Sequence, residues 1–255
     1  MYWLFASLFT TQLAPFEPLV QNVSNRLQAP SVDHYWGTDE LGRDIYSRVL
    51  YGAQITIPAG ILVIVIGGVL GTVVGAIAGY VGGLWDDIIM RLAELFMAFP
   101  TIILAMAVTA ALGADIRNAV IALVVVWWPS YARLVRGLVL TVKNNEYVES
   151  ARCVGASDVY ILTRTVLPNC FSSALVLMTL DIGNAILTFA GLSFLGLGAV
   201  PASPEWGRMV SVAIDFFNQW WMWLYPGAAI ASVVIAFNFI GDSLRDLLDP
   251  RMRNS

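Results

Sequence analysis

Long uncharged apolar runs dominate the chain, each bounded by a short polar stretch. Residues 59–81, AGILVIVIGGVLGTVVGAIAGYV, hold no charge, and neither do residues 95–112, LFMAFPTIILAMAVTAAL. A helix that crosses about 30 Å of hydrocarbon needs about 20 apolar residues, because every backbone polar group must be satisfied inside the segment. Both runs therefore predict membrane spans. So does 118–132, NAVIALVVVWWPSYA, which is shorter but flanked by Arg117 and Arg133, whose heads can snorkel to the two interfaces. The stretch from Pro168 to Gly198, interrupted once by Asp181, and the uncharged stretch 216–241 bring the spans after residue 55 to five. At the start of the chain, MYWLFASLFTTQLA is apolar but ends after 14 residues at Pro15, and it lacks the basic lead of a signal peptide. It predicts a short or truncated first membrane helix, for six in all. The expected organisation is 1–54 for that helix and an external amphipathic segment, and 55–255 for a five-helix core. A polar loop at about 137–167 interrupts this core.

Composition agrees with the pattern. The chain is 58% hydrophobic and 13% charged, where a soluble domain carries about 25% charge. With a mean hydropathy of +0.72, this excludes a water-soluble globule. The net charge of −4 describes the loops and gives no reason to expect a nucleic-acid partner. Arg and Lys orient the spans. With the N-terminus inside, Arg91, Arg133, Arg136, Lys143, Arg152, Arg164, Arg245, Arg251 and Arg253 are cytosolic, against Arg26, Arg43, Arg48, Arg117 and Arg208 outside. This places both termini in the cytosol. Trp206, Trp220, Trp221 and Trp223 cluster where an outer aromatic belt would form.

Several residues inside the spans invite specific readings. Gly67, Gly71, Gly75 and Gly79 clear one helical stripe for the close approach of another helix. Pro100, Pro129 and Pro226 each remove a backbone donor and predict kinks. Asp181 costs about 2.5–3.5 kcal/mol at a helix centre, so something must face it. An interhelical hydrogen bond and a polar pathway are both open, for Asp181 and for Asn184 three residues on. Glu94 lies three residues after Arg91 and can pair with it on one helical face.

Enzymatic chemistry finds no footing. The one lysine, Lys143, follows Val142, so no GxxxxGK[ST] phosphate loop exists and energy must come from elsewhere. Gly191-Leu192-Ser193 offers a nominal nucleophile, but the sole histidine, His34, lies in the first external loop, so Ser193 lacks a base and reads as a packing residue. Cys153 and Cys170 stand 17 positions apart with no histidine nearby, which predicts two inert thiols, no disulfide and no metal site.

The polar loop is patterned. In EYVESARCVGAS, residues 146–157, Tyr147, Ala151 and Val154 fall at i, i+4 and i+7 and predict a short helix with one apolar stripe, Glu149 and Arg152 facing the other way. Gly155 suits the left-handed residue that ends a helix, and Ser157 can cap a second one running to Pro168. A short amphipathic helix beside a polytopic bundle either lies on lipid or enters a groove on another protein.

Glu149-Ser150-Ala151, Gly155 after three residues, and Leu167-Pro168 resemble the EAA loop of permease subunits of binding-protein-dependent ATP-binding-cassette importers. Ser150 stands where that loop usually has Ala, and Thr165 where an aliphatic residue is usual. Residues 37–53 (GTDELGRDIYSRVLYGA), 192–198 (LSFLGLG) and 237–251 (FNFIGDSLRDLLDPR) resemble, more narrowly, the C-type permeases of dipeptide, oligopeptide and nickel importers. In 37–53, Leu41, Ile45 and Val49 form an apolar stripe while Asp39–Arg43 and Asp44–Arg48 are i,i+4 pairs, which predicts an amphipathic helix at the outer interface. Asp242, Arg245 and Asp246 would form the cytosolic end of the last span, with Asp249-Pro250 stopping it.

The resemblance implies an all-α, type I importer transmembrane domain in a bacterial cytoplasmic membrane. It implies a second homologous permease, two cytosolic ATPase subunits that bind the ATP, and an extracytoplasmic solute-binding protein. The chain itself would need no cofactor. Tyr147, Glu149, Ser150, Ala151, Val154 and Gly155 would couple to the ATPases, whose closure on ATP moves the 146–156 helix. Short peptides are the implied cargo, with nickel chelates or glutathione-like solutes as alternatives. The competing class is an ion-coupled secondary transporter using Asp181 and Glu94.

Overall fold

A computed structural model describes residues 2–248, and the regular elements of these residues are helices. In chain order they are α1 (Tyr2–Leu8), α2 (Thr10–Leu13), α3 (Ile45–Val81), α4 (Gly83–Met97), α5 (Thr101–Leu112) and α6 (Ile116–Val142). There follow α7 (Glu146–Cys153), α8 (Asp158–Tyr160), α9 (Leu167–Phe194), α10 (Trp206–Ala213) and α11 (Trp220–Leu248). Among the described residues, four helical stretches are long and apolar enough to cross a membrane: α3, α6, Asp158–Phe194 and α11. The bent pair α4–α5 makes a fifth if counted as one span. The expected sixth is absent from these, because the N-terminal run forms helices of 7 and 4 residues, α1 and α2. Asp249-Pro250, Arg251 and Arg253 lie outside the described residues.

The span over 95–112 is broken at Pro100, where a kink is expected. α4 and α5 meet at 93°, with Pro100 as the residue that opens α5. Proline lacks the N–H for the continuing ladder, and its ring disfavours helical geometry for the residue before it, so the chain turns there. Pro58, Pro129 and Pro226, by contrast, sit inside α3, α6 and α11 without ending them. α6 also runs past Arg133 to Val142, so Arg133 lies within the helix and not at its interface end.

α3 and α6 form the central pair, and the glycine stripe makes their approach possible. A methyl on Gly67 would meet Cβ of Trp127 at 3.4 Å, and one on Gly79 would meet the Arg136 carbonyl at 2.9 Å. Methyls on Gly71 and Gly75 would run into the backbone of Trp128 and Ala132. Close backbone contact replaces side-chain interdigitation here, as small-residue stripes allow.

One end of the bundle is closed by a cap built from residues 16–50, the loop 199–205, α10 and the start of α11. Residues 37–44 do not form the expected amphipathic helix. Gly37 and Gly42 take φ of 75° and 71°, and Asp39 Oδ1 accepts the backbone N–H of Leu41 and Arg43, which folds a turn instead. The helix starts only at Ile45, with Asp44 capping the Ser47 N–H at 2.8 Å. The Asp39–Arg43 pair forms at 2.7 Å, but Arg48 turns to Asp39 and to the carbonyls of Pro18, Ala202 and Ser203, while Asp44 pairs with His34 at 2.9 Å. All of these side chains are buried.

Two tryptophans expected in a belt are cap core instead. Trp206 is fully buried, edge-on to Trp3, and its indole N–H donates to the Val49 carbonyl; Trp221 donates to the Thr38 carbonyl. Trp220 is exposed and remains suited to an interface. Glu205, fully buried, caps α10 by accepting the N–H groups of Gly207 and Arg208, and it also accepts the Thr56 hydroxyl at 3.0 Å. Burial pushes its carboxyl above the ordinary carboxylate range, opposed by those hydrogen bonds. Ser193 is buried and its hydroxyl accepts the Ala199 N–H, which bears out a packing role.

Candidate functional site

At the opposite end of the bundle, α7 and α8 form a helix, a tight turn and a second helix, as the loop pattern predicts. Gly155 has φ 84°, and its N–H reaches the Arg152 carbonyl at 3.0 Å while that of Ala156 reaches the Ala151 carbonyl at 3.1 Å. These two bonds close the end of α7 around a left-handed residue. A methyl on Gly155 would meet nothing within 4 Å, so the backbone angle and not crowding calls for glycine. Ser157 caps α8 through the Tyr160 N–H.

α7 meets the bundle through a face other than the Tyr147–Ala151–Val154 stripe. Val148 is fully buried and Ala151 half-buried, in a cluster with Val135, Val139, Ile161, Val166 and Cys170. Tyr147 is 45% exposed and Val154 84% exposed, so these two point away from the bundle. Val159 and Tyr160 join them on the outside. In a helix of 8 residues, a shift of one position rotates the face by about 100°, and composition does not distinguish Tyr147 from Val148 as the inward residue. Glu149, Ser150 and Arg152 are exposed, and the Ser150 hydroxyl only returns to the Glu146 carbonyl at 2.9 Å.

Three ties hold this segment to the long helices. Tyr80 on α3 donates its hydroxyl to Asp158 at 2.8 Å, and Lys143 Nζ donates to the Gly79 carbonyl at 2.7 Å. The third tie is covalent. α8 does not stop at Pro168 but passes through a π-helical turn, Ile161–Val166, into α9. Leu167 N–H bonds Leu162 O, five residues back, and this wider turn carries the helix past the donor that Pro168 lacks. Asp158–Phe194 is thus one continuous rod of 37 residues. Sequence reasoning missed the Tyr80, Lys143 and π-turn ties, since nothing in a linear pattern pairs residues 78 positions apart.

The polar residues expected inside the spans separate. Asp181 on α9 accepts the hydroxyl of Tyr131 on α6 at 2.8 Å, with Tyr131 fully buried. Asn184 is exposed on α9 and Glu94 on α4, and they do not join Asp181 in one site. The Arg91–Glu94 pair is not among the ion pairs of the described residues; α4 is instead bound to α6 by a two-pronged Asp86–Arg136 bridge at 2.5 and 2.6 Å. Among the described residues no group of His, Cys, Asp or Glu is arranged to hold a metal ion.

The chain is similar to known proteins in sequence and in fold. The family described as "binding-protein-dependent transport system inner membrane component" matches residues 71–254. The glutathione transport system permease protein GsiD of Escherichia coli O6:K15:H31 (strain 536 / UPEC) is 47% identical over 251 residues, 97% of this chain and 82% of that protein. GsiD of Shigella boydii serotype 4 (strain Sb227) matches equally. Among solved structures, an inward-facing MetNI methionine ABC transporter superposes with a TM-score of 0.65 at 18% identity, over 79% of this chain and 97% of that one. An amino acid ABC transporter crystallised with histidines gives 0.56 at 15% identity, over 81% and 94%.

Proposed function

The chain belongs to the family of binding-protein-dependent transport system inner membrane components, and from that premise we propose that it is a permease subunit of an ATP-driven importer whose cargo is a short peptide of the glutathione type. In this reading a second permease completes the path, two ATPase subunits bind the nucleotide, and an extracytoplasmic protein delivers solute. The chain itself carries no cofactor and performs no covalent chemistry. The α7 end and both termini face the cytosol.

The observation that carries the reading is the α7–α8 segment, which is bound on one side and bare on the other. Val148, Ala151 and Ile161 seat it on the bundle, and Tyr80 and Lys143 tie it to α3. Tyr147, Val154, Val159 and Tyr160 present apolar surface outward from a polar segment, as a helix that enters a partner's groove does. Glu149, Ser150 and Gly155 would line the rim of that contact. A displacement of the segment would pass through the continuous rod into α9 and, through the Asp181–Tyr131 bond, into α6. Coupling of this kind needs a discrete rigid element, which the ties supply.

The ion-coupled alternative would use Asp181 and Glu94. That Asp181 is already engaged by Tyr131 favours a fastener over an ion site. The experiment is uptake of glutathione and of a dipeptide into vesicles holding the assembled transporter. Uptake should require ATP and continue when the proton gradient is collapsed. Uptake that ignores ATP and stops with the gradient overturns the proposal.

A further inference from the structure

α6 carries a polar stripe that no helix of the described residues covers. Its inward face is Tyr131, Ala132, Val135 and Val139, all buried. Its outward face is Ser130, Arg133, Gly137 and Thr141, all exposed and spaced at i, i+3, i+7 and i+11, along one side of a helix. Leu134 and Leu138 border the stripe, which lines a shallow, open depression on the outer face of α6.

Arg133 is what makes this face unlike the rest of the bundle surface. No carboxylate among the described residues forms an ion pair with it, whereas its neighbour Arg136 is fully engaged by Asp86. Glu94, exposed on α4, makes no ion pair either. The Arg133 guanidinium does not snorkel toward the α7 end. It lies 3.1 Å from the sulfur of Met97, the last residue of α4, at the end of that helix away from the Gly82–Gly83 turn. A cation facing hydrocarbon is costly, so water, an anion or a partner helix has to meet it here.

Gly137 points the same way. Glycine inside a helix weakens it relative to alanine. Here φ is not positive, and a methyl would meet nothing within 4 Å. The fold of this chain gives no reason for glycine at that position, one turn from Arg133 toward α7. The missing side chain leaves open space on the outward face one turn from Arg133.

We infer that the Ser130–Arg133–Gly137–Thr141 face of α6 lines the solute path, and that Arg133 receives a carboxylate of the transported solute. The guanidinium offers a planar fork of donors matched to a carboxylate, and Ser130 adds a neutral donor one turn away. The contact is transient, since the solute has to leave, and a single exposed cation suits that better than a closed cage. This deepens the importer reading and rests on it. It also assigns the path to a face that Asp181 and Asn184 do not share.

The test uses the assembled transporter in its membrane, with exposed Cys153 replaced by serine, and measures modification of single introduced thiols by anionic and cationic methanethiosulfonate reagents. Gly137→Cys fits the open space, and Ser130→Cys, nearly isosteric, is the second reporter. Both thiols should react, with the anionic reagent favoured, and adding Arg133→Gln should lower the anionic-to-cationic rate ratio by about tenfold. Arg133→Lys should keep the ratio. Thiols that react with neither reagent mean that the face meets lipid or a partner helix, and a ratio indifferent to Arg133→Gln means that the cation does not act on solutes; either overturns the inference. The labelling needs neither ATP nor cargo, so it fails independently of ATP-driven uptake.

Discussion

The two ends of the bundle are built on opposite principles. At the α10 end, charged and aromatic side chains are turned inward: Arg43, Arg48, Asp39, Asp44, Glu205, Trp206 and Trp221 are buried, the arginines and tryptophans donating to carboxylates or backbone carbonyls and the carboxylates accepting from backbone N–H groups, Thr56, His34 or the arginines. At the α7 end, the same kinds of side chain are turned outward. Glu146, Glu149, Arg152, Tyr147 and Tyr160 are exposed, and a few ties to α3 hold the segment in place. A buried network held by many mutual hydrogen bonds resists deformation. A segment seated by a small apolar patch, with apolar residues left outside, can be held and moved by something else. The contrast separates a part that holds the helices together from a part that is handled.

The sharpest way to break the contrast is at the cap. Trp206→Ala removes the largest fully buried side chain and its bond to Val49, and should cost about 3–5 kcal/mol, read as a lower thermal midpoint in detergent. An unchanged midpoint would mean that the cap is not the rigid end. Gly155→Leu at the other end forces a left-handed backbone angle on a branched side chain, a local cost of about 1–2 kcal/mol. Insertion and the thermal midpoint should hold while ATPase association and uptake fall. Normal uptake at normal expression would count against the coupling role.

A smaller effect than either should come from pH. The raised carboxyl of Glu205 binds its proton more tightly folded than unfolded, so its contribution to stability is present below the unfolded carboxylate range and is lost as pH rises through the folded value. Glu40, also raised by burial, acts in the same direction. Glu205→Gln should therefore flatten, without abolishing, the fall in cap stability with rising pH, seen in melts at a series of pH values. The smallest change is Tyr80→Phe, which removes the exposed bond to Asp158 and should cost about 0.5–1 kcal/mol or less. Its signature would be faster hydrogen exchange confined to residues 146–160, with the cap unaffected.

Much of this was legible in the residues. The apolar runs after residue 55 became α3, α6, α9 and α11, the four glycines became the α3–α6 contact, and the helix-turn-helix around Gly155 formed with its positive φ. The α7 pattern does not say which of its residues meets the bundle, and residues 37–44 of the amphipathic helix expected over 37–53 form a turn instead. In both cases the deciding partner is remote: Val148 is inward because α6 and α9 meet it there, and Arg48 turns to Ser203, 155 positions away.

Hydropathy and local backbone chemistry, acting over a few turns, determined that this chain crosses a membrane, where it bends at Pro100 and where the helix-turn-helix around Gly155 turns. Tertiary structure alone decided which polar side chains are spent on holding the bundle together, as Asp181, Asp86 and Glu205 are, and which are left facing outward, as Arg133 is. The reason is that a charge in a low-dielectric setting takes whatever partner lies within about 3 Å, and that partner is chosen by helix packing rather than by sequence neighbourhood.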